Sequence, residues 1–266
     1  MAEALKPRTS DVNGKLWGAA AEDWAAIQEP LLRAVFVQAL DRLRVGPGTR
    51  YLDVGCGAGL AVRIAGERGA LCSGLDAADG MLAVARRRSP RADLRRGDLE
   101  ELPFADQSFD VVTGFNSFQF AGNPSVALTE ARRVARPDGR ILIMTWGKPE
   151  GMEAASIITS LRALLPPPPP GAPGPFALSD EATLRGFAAA AGLKPLEIVD
   201  VPCDFVYPDL ATGLRGMNAT GVARVAIERS GEKAVSEAHA AALAPFRQKD
   251  GSYRAKGGFR YLVAAP

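Results

Sequence analysis

An α/β fold with a parallel sheet and helices on both of its faces is the fold class this sequence predicts, and three observations carry it. Short apolar runs of four to six residues alternate with stretches of helical periodicity through the first half of the chain. The runs are rich in Val, Ile and Leu, as strands covered on both faces are. Hydrophobic residues make up 47% of the 266 positions, which is material for one large core or two smaller ones.

Residues 1–14 read as a loose, flexible tail. A helical stretch carrying Trp17 and Trp24 follows. Gln28-Glu29-Pro30 opens a second helix, in which Leu31, Leu32, Val35, Phe36, Ala39, Leu40 and Leu43 keep the i, i+3/i+4 spacing of one buried face. Gly46-Pro47-Gly48 ends it. The first strand is 51–54, followed by a Gly-rich turn and a helix over 60–68. Strand two covers 71–75 and its helix 81–88; strand three is a weak run at 92–95. Strand four, 111–115, is entered through Phe109-Asp110, and a helix over 125–135 leads through Pro137-Asp138-Gly139 to strand five at 141–145.

The second half reads differently. A helix over 152–165 stops at Pro166, and residues 166–175 hold seven prolines in ten, which predicts a stiff, extended, polyproline-like stretch. Ser179 is placed to cap a helix with Glu181 in its first turn. A sixth strand at 196–201, helices over 210–243 broken at Gly221 and Gly231, and a last strand at 259–264 complete the chain. Residues 15–266 are expected to form one domain. Its core is 45–150, 179–202 and 257–266, and the covering segments are 15–44, 151–178 and 203–256.

Composition narrows the function. Thirty-two Lys and Arg against 30 Asp and Glu leave a charge of +2, without the basic excess of a nucleic-acid binder. No apolar run reaches the roughly 20 residues of a membrane helix, and no signal peptide is visible at the N-terminus; a cytoplasmic location is expected. Three cysteines, Cys56, Cys72 and Cys203, and one histidine, His239, argue against a disulfide framework and a metal centre.

The chemistry lies in three carboxylates at strand ends. Asp53 stands in Asp53-Val54-Gly55-Cys56-Gly57-Ala58-Gly59, where the glycines let the backbone turn tightly and approach a ligand. The spacing is GxGxG; a dinucleotide fingerprint would need a glycine where Leu60 stands, and Asp53 would repel a pyrophosphate. Asp76 ends strand two, where an acid accepts hydrogen bonds from ribose hydroxyls. Asp98, in Gly97-Asp98-Leu99-Glu100, is placed to accept from an exocyclic adenine amine. A ligand with a cationic end, a ribose and an adenine but no phosphate fits the three, and S-adenosylmethionine meets that description.

These motifs, with Met81 five residues after Asp76, the run Gly97-Asp98-Leu99-Glu100-Glu101-Leu102-Pro103-Phe104 and the entry Ser108-Phe109-Asp110-Val111-Val112, resemble the class I S-adenosylmethionine-dependent methyltransferases. The bacterial branch similar to the ubiquinone and menaquinone biosynthesis methyltransferases is the nearest in flavour. The resemblance covers residues 45–147, and the stretches at 166–178 and 250–261 also look like bacterial proteins of this type. It implies a doubly wound, mostly parallel seven-stranded sheet of the Rossmann-like methyltransferase kind, with helical lid insertions. It further implies that Gly55, Cys56, Gly57 and Gly59 wrap the methionine part beside Asp53, that Asp76 and Ala77 lie at the ribose, that Met81 packs on the adenine, that Asp98, Leu99 and Glu100 read its edge, and that Asn116 sits near the sulfonium.

Subclasses can be tested by residue. Asn116-Ser117-Phe118-Gln119 is not the Asn/Asp-Pro-Pro-aromatic motif of amino-methylating DNA enzymes. The one Pro-Cys pair, Pro202-Cys203, follows strand six, the wrong place for a cytosine-C5 nucleophile. Thr145-Trp146-Gly147 after strand five lacks the acids of a magnesium site. A small-molecule acceptor remains, with a homodimer left open as the assembly. Trp17, Trp24, Phe118, Phe120, Trp146, Phe205 and Tyr207 are expected to line its pocket beneath a lid made by 166–175 and 210–243, because ligands bind beyond the carboxyl ends of such strands. His239 is the one imidazole available as a general base. Two alternatives stay open: a protein that binds the cofactor without transferring its methyl, and a nicotinamide oxidoreductase, against which the GxGxG spacing and Asp98 speak.

Overall fold

The computed structural model describes residues 8–167 and 174–266. A seven-stranded sheet organises the chain, built from Arg50–Val54 (β1), Leu71–Asp76 (β2), Asp93–Arg96 (β3), Phe109–Phe115 (β4), Ala135–Trp146 (β5), Lys194–Pro202 (β6) and a last strand, Gly258–Ala265. Two short strands, Phe205–Tyr207 (β7) and Tyr253–Ala255 (β8), precede that last strand, which is therefore β9. The order across the sheet is β3-β2-β1-β4-β5-β9-β6, parallel from β3 to β5, with β9 antiparallel to both of its neighbours. The strand order reverses between β1 and β4, so a crevice opens beyond their carboxyl ends.

Helices cover both faces. Before the sheet come Thr9–Gly18 (α1), Ala21–Asp23 (α2), a π turn over Trp24–Gln28, a 3₁₀ turn over Glu29–Leu32, and Arg33–Arg42 (α3). Leu60–Glu67 (α4), Asp79–Arg88 (α5) and Pro124–Val134 (α6) are the crossovers, and Ala154–Ile158 (α7) and Glu181–Ala190 (α8) follow β5. One core joins α3 and α4 to the sheet through Val35, Phe36, Ala39, Leu40, Tyr51 and Val62; the other joins α6 and α8 through Leu128, Ala131, Ile141, Leu184 and Leu262.

The antiparallel ladder of β6 and β9 runs past the rim of the core. The Cys203 amide donates to the Gly257 carbonyl at 2.9 Å, and β7 and β8 continue the pairing as a two-stranded arm. That arm carries Leu210–Asn218 (α9), Gly221–Ser230 (α10) and Glu232–Leu243 (α11).

Four expectations are corrected. Residues 9–14 are not tail but the start of α1, which is held by tertiary contacts: the Asn13 side chain donates to the Phe120 carbonyl at 2.7 Å, and a Cβ on Gly14 would stand 2.4 Å from the Ala77 carbonyl oxygen. The helix expected over 152–165 is α-helical only over Ala154–Ile158, where the Thr159 hydroxyl bonds back to the Ala155 carbonyl and the chain passes into turns. Asp180, not Ser179, caps α8, accepting from the Thr183 amide at 2.9 Å, while the Ser179 carbonyl accepts from Arg260 at 2.7 Å. Finally, 205–207 and 253–255 are strands. The stretch 168–173 of the proline-rich segment lies outside the described residues.

Candidate functional site

The turn after β1 is built by its glycines. Gly55 and Gly57 have φ of 74° and 53°, a left-handed conformation that suits glycine. A Cβ on Gly55 would stand 2.4 Å from Ser117 Cβ, whereas one on Gly57 would make only ordinary contacts, with Trp24 Nε1 at 3.7 Å and Glu29 Oε1 at 3.9 Å. The Gly55 and Cys56 amides donate to the Leu75 carbonyl at 2.7 and 2.9 Å, tying the turn to the end of β2. The Cys56 thiol is buried beneath it, and burial pushes its pKa well up, so it is neutral.

Asp76, at that end, accepts from the Gly57 and Ala78 amides, each at 2.8 Å, and keeps part of its surface open. Asp53 is 2% exposed and accepts from the Thr113 hydroxyl at 2.7 Å, which in turn bonds the Tyr51 hydroxyl at 2.7 Å. Burial raises the Asp53 carboxyl to about 8, with the Asp76 and Glu29 charges adding to the shift and the Thr113 bond opposing it. Burial also raises Asp76, against the amide bonds it accepts.

Glu29 is the member of this group that the sequence reading missed. It is 3% exposed at the start of the 3₁₀ turn, accepts from the Leu60 amide at 3.1 Å and pairs with Arg88, which also donates to the Ala25 and Ala58 carbonyls at 2.8 and 3.1 Å. Burial raises Glu29 despite that guanidinium. The carboxylates that gather at the glycine turn are therefore Asp53, Asp76 and Glu29. Asp98 stands apart. It accepts from the Glu100 amide at 3.0 Å and borders a cavity of about 230 Å³ with Ala77, Gly97, Ser10 and Asp11, and a second of about 400 Å³ with Thr9 and Glu100. Leu99 packs partly into the core, and Glu100 is turned to the Asn123 amide at 2.9 Å.

Met81 is buried with Ala58, Ala78 and Val84 beneath Trp17 and Trp24. Asn116 has φ of 54° and accepts from the Gln119 side chain just beyond β4. Ser117 was another omission: its hydroxyl donates to the Val54 carbonyl at 2.6 Å, locking the exit of β4 onto β1.

The expected aromatic pocket divides in three. Trp17 meets Trp24 and Phe120 edge-on, with centroids 5.1 and 5.6 Å away, and α1 thereby roofs the site. Trp146 and Phe205 stack instead with Phe259 and Trp146 respectively, at 4.6 and 6.2 Å, joining the arm to the end of β5. Phe118 is 1% exposed and lies in the core against Gly114, because the 3₁₀ turn over Phe118–Phe120 sends its first ring inward and its third outward. Tyr207 is fully buried in the two-stranded arm, its hydroxyl donating to Gln28 Oε1 at 2.8 Å. Phe118 and Tyr207 are thus packing residues, contrary to expectation.

His239 lies among the helices that the arm carries. It is 4% exposed in α11, and its Nδ1 lies 2.8 Å from Asn218 Oδ1, whose amide nitrogen donates to Ser236 at 2.9 Å. Burial lowers its pKa to about 4. Its neighbours are α9, α10 and α7, and the structure does not bring it to the glycine turn. Among the described residues no group of three or more His, Cys, Asp or Glu could hold a metal ion, and no helix is long and apolar enough to cross a membrane.

A sheet that reverses its strand order beside a GxGxG turn, with acids ending β1 and β2, defines a Rossmann-like methyltransferase fold. Residues 52–143 match the family described as a methyltransferase domain. The demethylmenaquinone methyltransferase of Renibacterium salmoninarum is 37% identical over 110 residues, 41% of this chain and 46% of that protein. The malonyl-acyl-carrier-protein O-methyltransferase of Erwinia pyrifoliae is 29% identical over 191 residues, 72% of this chain and 69% of that protein. The match with the first thus spans a little under half of its length. Among solved structures, the (4+2)-cyclase SpnF is 24% identical, covering 88% of this chain and 80% of its own, with a TM-score of 0.57. An S-adenosylmethionine-dependent methyltransferase of Thermotoga maritima is 16% identical, covering 95% and 99%, with a TM-score of 0.55. These two show the fold.

Proposed function

We propose that this protein transfers a methyl group from S-adenosylmethionine to an O, N or C nucleophile of a small molecule. One observation carries the proposal: Asp53, Asp76 and Glu29 gather at the glycine turn, and of the three only Glu29 forms an ion pair, with Arg88. Such a site suits a cationic ligand and repels a phosphate.

The residues fit this cofactor. Both oxygens of Asp76 retain acceptor capacity for a ribose diol while amides hold the carboxylate in place. The glycine turn at Gly55 and Gly57 suits the methionine part, and the cavity at Ala77, Gly97 and Asp98 suits the adenine edge. When bound, the cofactor supplies a methyl carbon on a sulfonium with a neutral leaving group. The work left to the chain is to align the acceptor and exclude water, which Trp17, Trp24, Phe120 and the helix α1 that carries one of them are placed to do. Asn116 follows the carboxyl end of β4, where ligands bind in such sheets. His239 receives no role in this proposal, because its ring is committed to Asn218 within the lid.

The names of the sequence relatives support an acceptor from quinone or specialised metabolism, and their bacterial origin supports a cytoplasmic bacterial enzyme. The test is calorimetric titration with S-adenosylmethionine and S-adenosylhomocysteine, followed by mass spectrometry of S-adenosylhomocysteine formed with a panel of quinols, phenols and carboxylic acids. Absence of binding heat with both ligands would sink the proposal. The cyclase name of one solved relative supports a second reading, binding without transfer, which tight binding and no turnover over the whole panel would favour.

A further inference from the structure

We infer that Trp24 and Glu29 read the amino-acid end of the cofactor, the indole N–H of Trp24 donating to its carboxylate and Glu29 Oε1 accepting from its ammonium. The inference rests on the cofactor proposed above and deepens it. Both residues lie outside 52–143, the segment that matches the methyltransferase-domain family.

Gly57 shows where the two side chains point. A notional Cβ there would stand 3.7 Å from Trp24 Nε1 and 3.9 Å from Glu29 Oε1, so both polar atoms are brought to the glycine turn. Trp24 opens the π turn and Glu29 the 3₁₀ turn that follows it. The Trp24 ring packs over Met81 and Ala58, and its N–H end is left at Gly57. A half-buried indole N–H ordinarily finds an acceptor. Among the described residues this one has none, and it is not a fully buried atom. Glu29 is held in place from two sides. Its Oε2 accepts from Arg88 and its Oε1 from the Leu60 amide at 3.1 Å, which leaves Oε1 a second lone pair. A donor and an acceptor therefore stand side by side at the turn, and a zwitterion offers the matching pair.

The carboxylate is the harder end to hold beside Asp53, Asp76 and Glu29. The nearby cations are already committed. Arg88 donates to Glu29 and to the Ala25 and Ala58 carbonyls, and Arg63 of α4 is turned to Glu67 at 3.7 Å. The Leu60 amide at the start of α4 is taken by Glu29. The indole N–H is a donor at Gly57 that no acceptor of the described chain uses. The consequence is selection: the intact cofactor and its product are held at both ends, whereas a nucleoside without the amino-acid end is held at Asp76 alone.

The experiment is calorimetric titration of the full chain with four ligands that share the adenosine and the thioether: S-adenosylhomocysteine, its decarboxylated amine analogue, its deaminated acid analogue, and methylthioadenosine, which lacks both groups. The wild type should bind S-adenosylhomocysteine about tenfold more tightly than either singly truncated ligand, and methylthioadenosine most weakly. Trp24→Phe keeps the ring and removes the N–H. It should weaken S-adenosylhomocysteine and the acid analogue about tenfold and leave the amine analogue within about twofold. Glu29→Gln should do the converse, weakening S-adenosylhomocysteine and the amine analogue and sparing the acid. Equal losses across these ligands in either variant would show that the residue only packs the turn, and would overturn its assignment. A wild type that binds methylthioadenosine as tightly as S-adenosylhomocysteine would overturn the whole inference and leave the cofactor proposal standing on Asp76. Absence of binding heat with all four ligands would overturn the cofactor proposal as well. Should Glu29→Gln fail to fold, Trp24→Phe and the wild-type series still decide.

Discussion

Replacing Asp76 by alanine separates what this carboxylate does for the fold from what it does for a ligand. Its carboxylate accepts from the Gly57 and Ala78 amides at 2.8 Å. Its removal leaves both amides to water, and hydrogen bonds to a charged group contribute about 1.5–3 kcal/mol each where no water replaces them. Against that loss stands the relief of a buried charge, since burial holds the Asp76 carboxyl above its ordinary value. The two effects oppose, and a net stability change under about 2 kcal/mol is expected. No such offset exists for the ligand. The ribose diol loses a charged acceptor, about 1.5–3 kcal/mol, which is about ten- to 150-fold in affinity. Loosening of the Gly57 turn adds to the loss. Asp76→Asn is the companion variant: its carboxamide nitrogen would face one amide donor with another, so it should bind nearly as poorly as alanine. The assay is calorimetry with S-adenosylhomocysteine, with thermal melting as the control for folding. Affinity within twofold of wild type in a folded Asp76→Ala protein would refute the ribose assignment.

Three further outcomes follow from the same contacts. Arg88→Met should lower stability by about 3–5 kcal/mol at pH 8, because the Glu29 carboxylate is left buried without a cation; part should return at pH 5, since Glu29, already raised, then takes a proton, and an unchanged urea midpoint would count against the pair. His239 is held near 4 by burial against 6.5 when free, so the unfolded chain binds more protons between those values; stability should fall as pH drops from 6.5 to 4, by about 3 kcal/mol at most, and His239→Leu should flatten that slope in urea titrations. Gly14→Val places a side chain 2.4 Å from the Ala77 carbonyl oxygen, so α1 must lift; ligand release followed by tryptophan fluorescence should quicken while the melting temperature changes little.

What could be read from the sequence follows a physical division. Strands β1, β4 and the second half of β5 are buried runs, a Gly follows β1, β3 and β5, and Asp76 ends β2, so periodicity and turn chemistry mark them, and Asp53 and Asp76 come with them. Glu29 carries no such mark. Gln28-Glu29-Pro30 reads as a helix start, and the carboxylate reaches the Leu60 amide only because the chain passes from a π turn into a 3₁₀ turn there. Helix α1, with the sequence TSDVNGKLWG, has two glycines and one buried apolar residue; its order comes from glycine contacts with Ala77 and Gly80, which are tertiary. Phe118 and Phe120 differ by two positions and point to opposite sides, a distinction made by one 3₁₀ turn. Strands β7 and β8 have three residues each, too few for a pattern, and are fixed by the ladder that enters them from β6 and β9.

The same division bears on what selects the acceptor. The glycine turn, Asp53, Asp76 and Asp98 all fall within 52–143, the segment that matches the methyltransferase-domain family. Trp17, Trp24, Gln28, Glu29, Tyr207, Asn218 and His239 fall outside it. Buried polar side chains are costly unless paired, and here they are paired with one another: Tyr207 with Gln28, and His239 with Asn218, which also holds Ser236. Such pairs fix the packing of the arm and its helices, and the Gln28 bond reaches from the arm to the turn beside Glu29. A substitution there should therefore act on acceptor affinity through the position of the π turn. Tyr207→Phe, which removes one hydroxyl and no volume, is the cleanest probe. It should raise the KM of an identified acceptor and leave S-adenosylhomocysteine binding unchanged; an equal loss in both would show that the turn serves the cofactor alone.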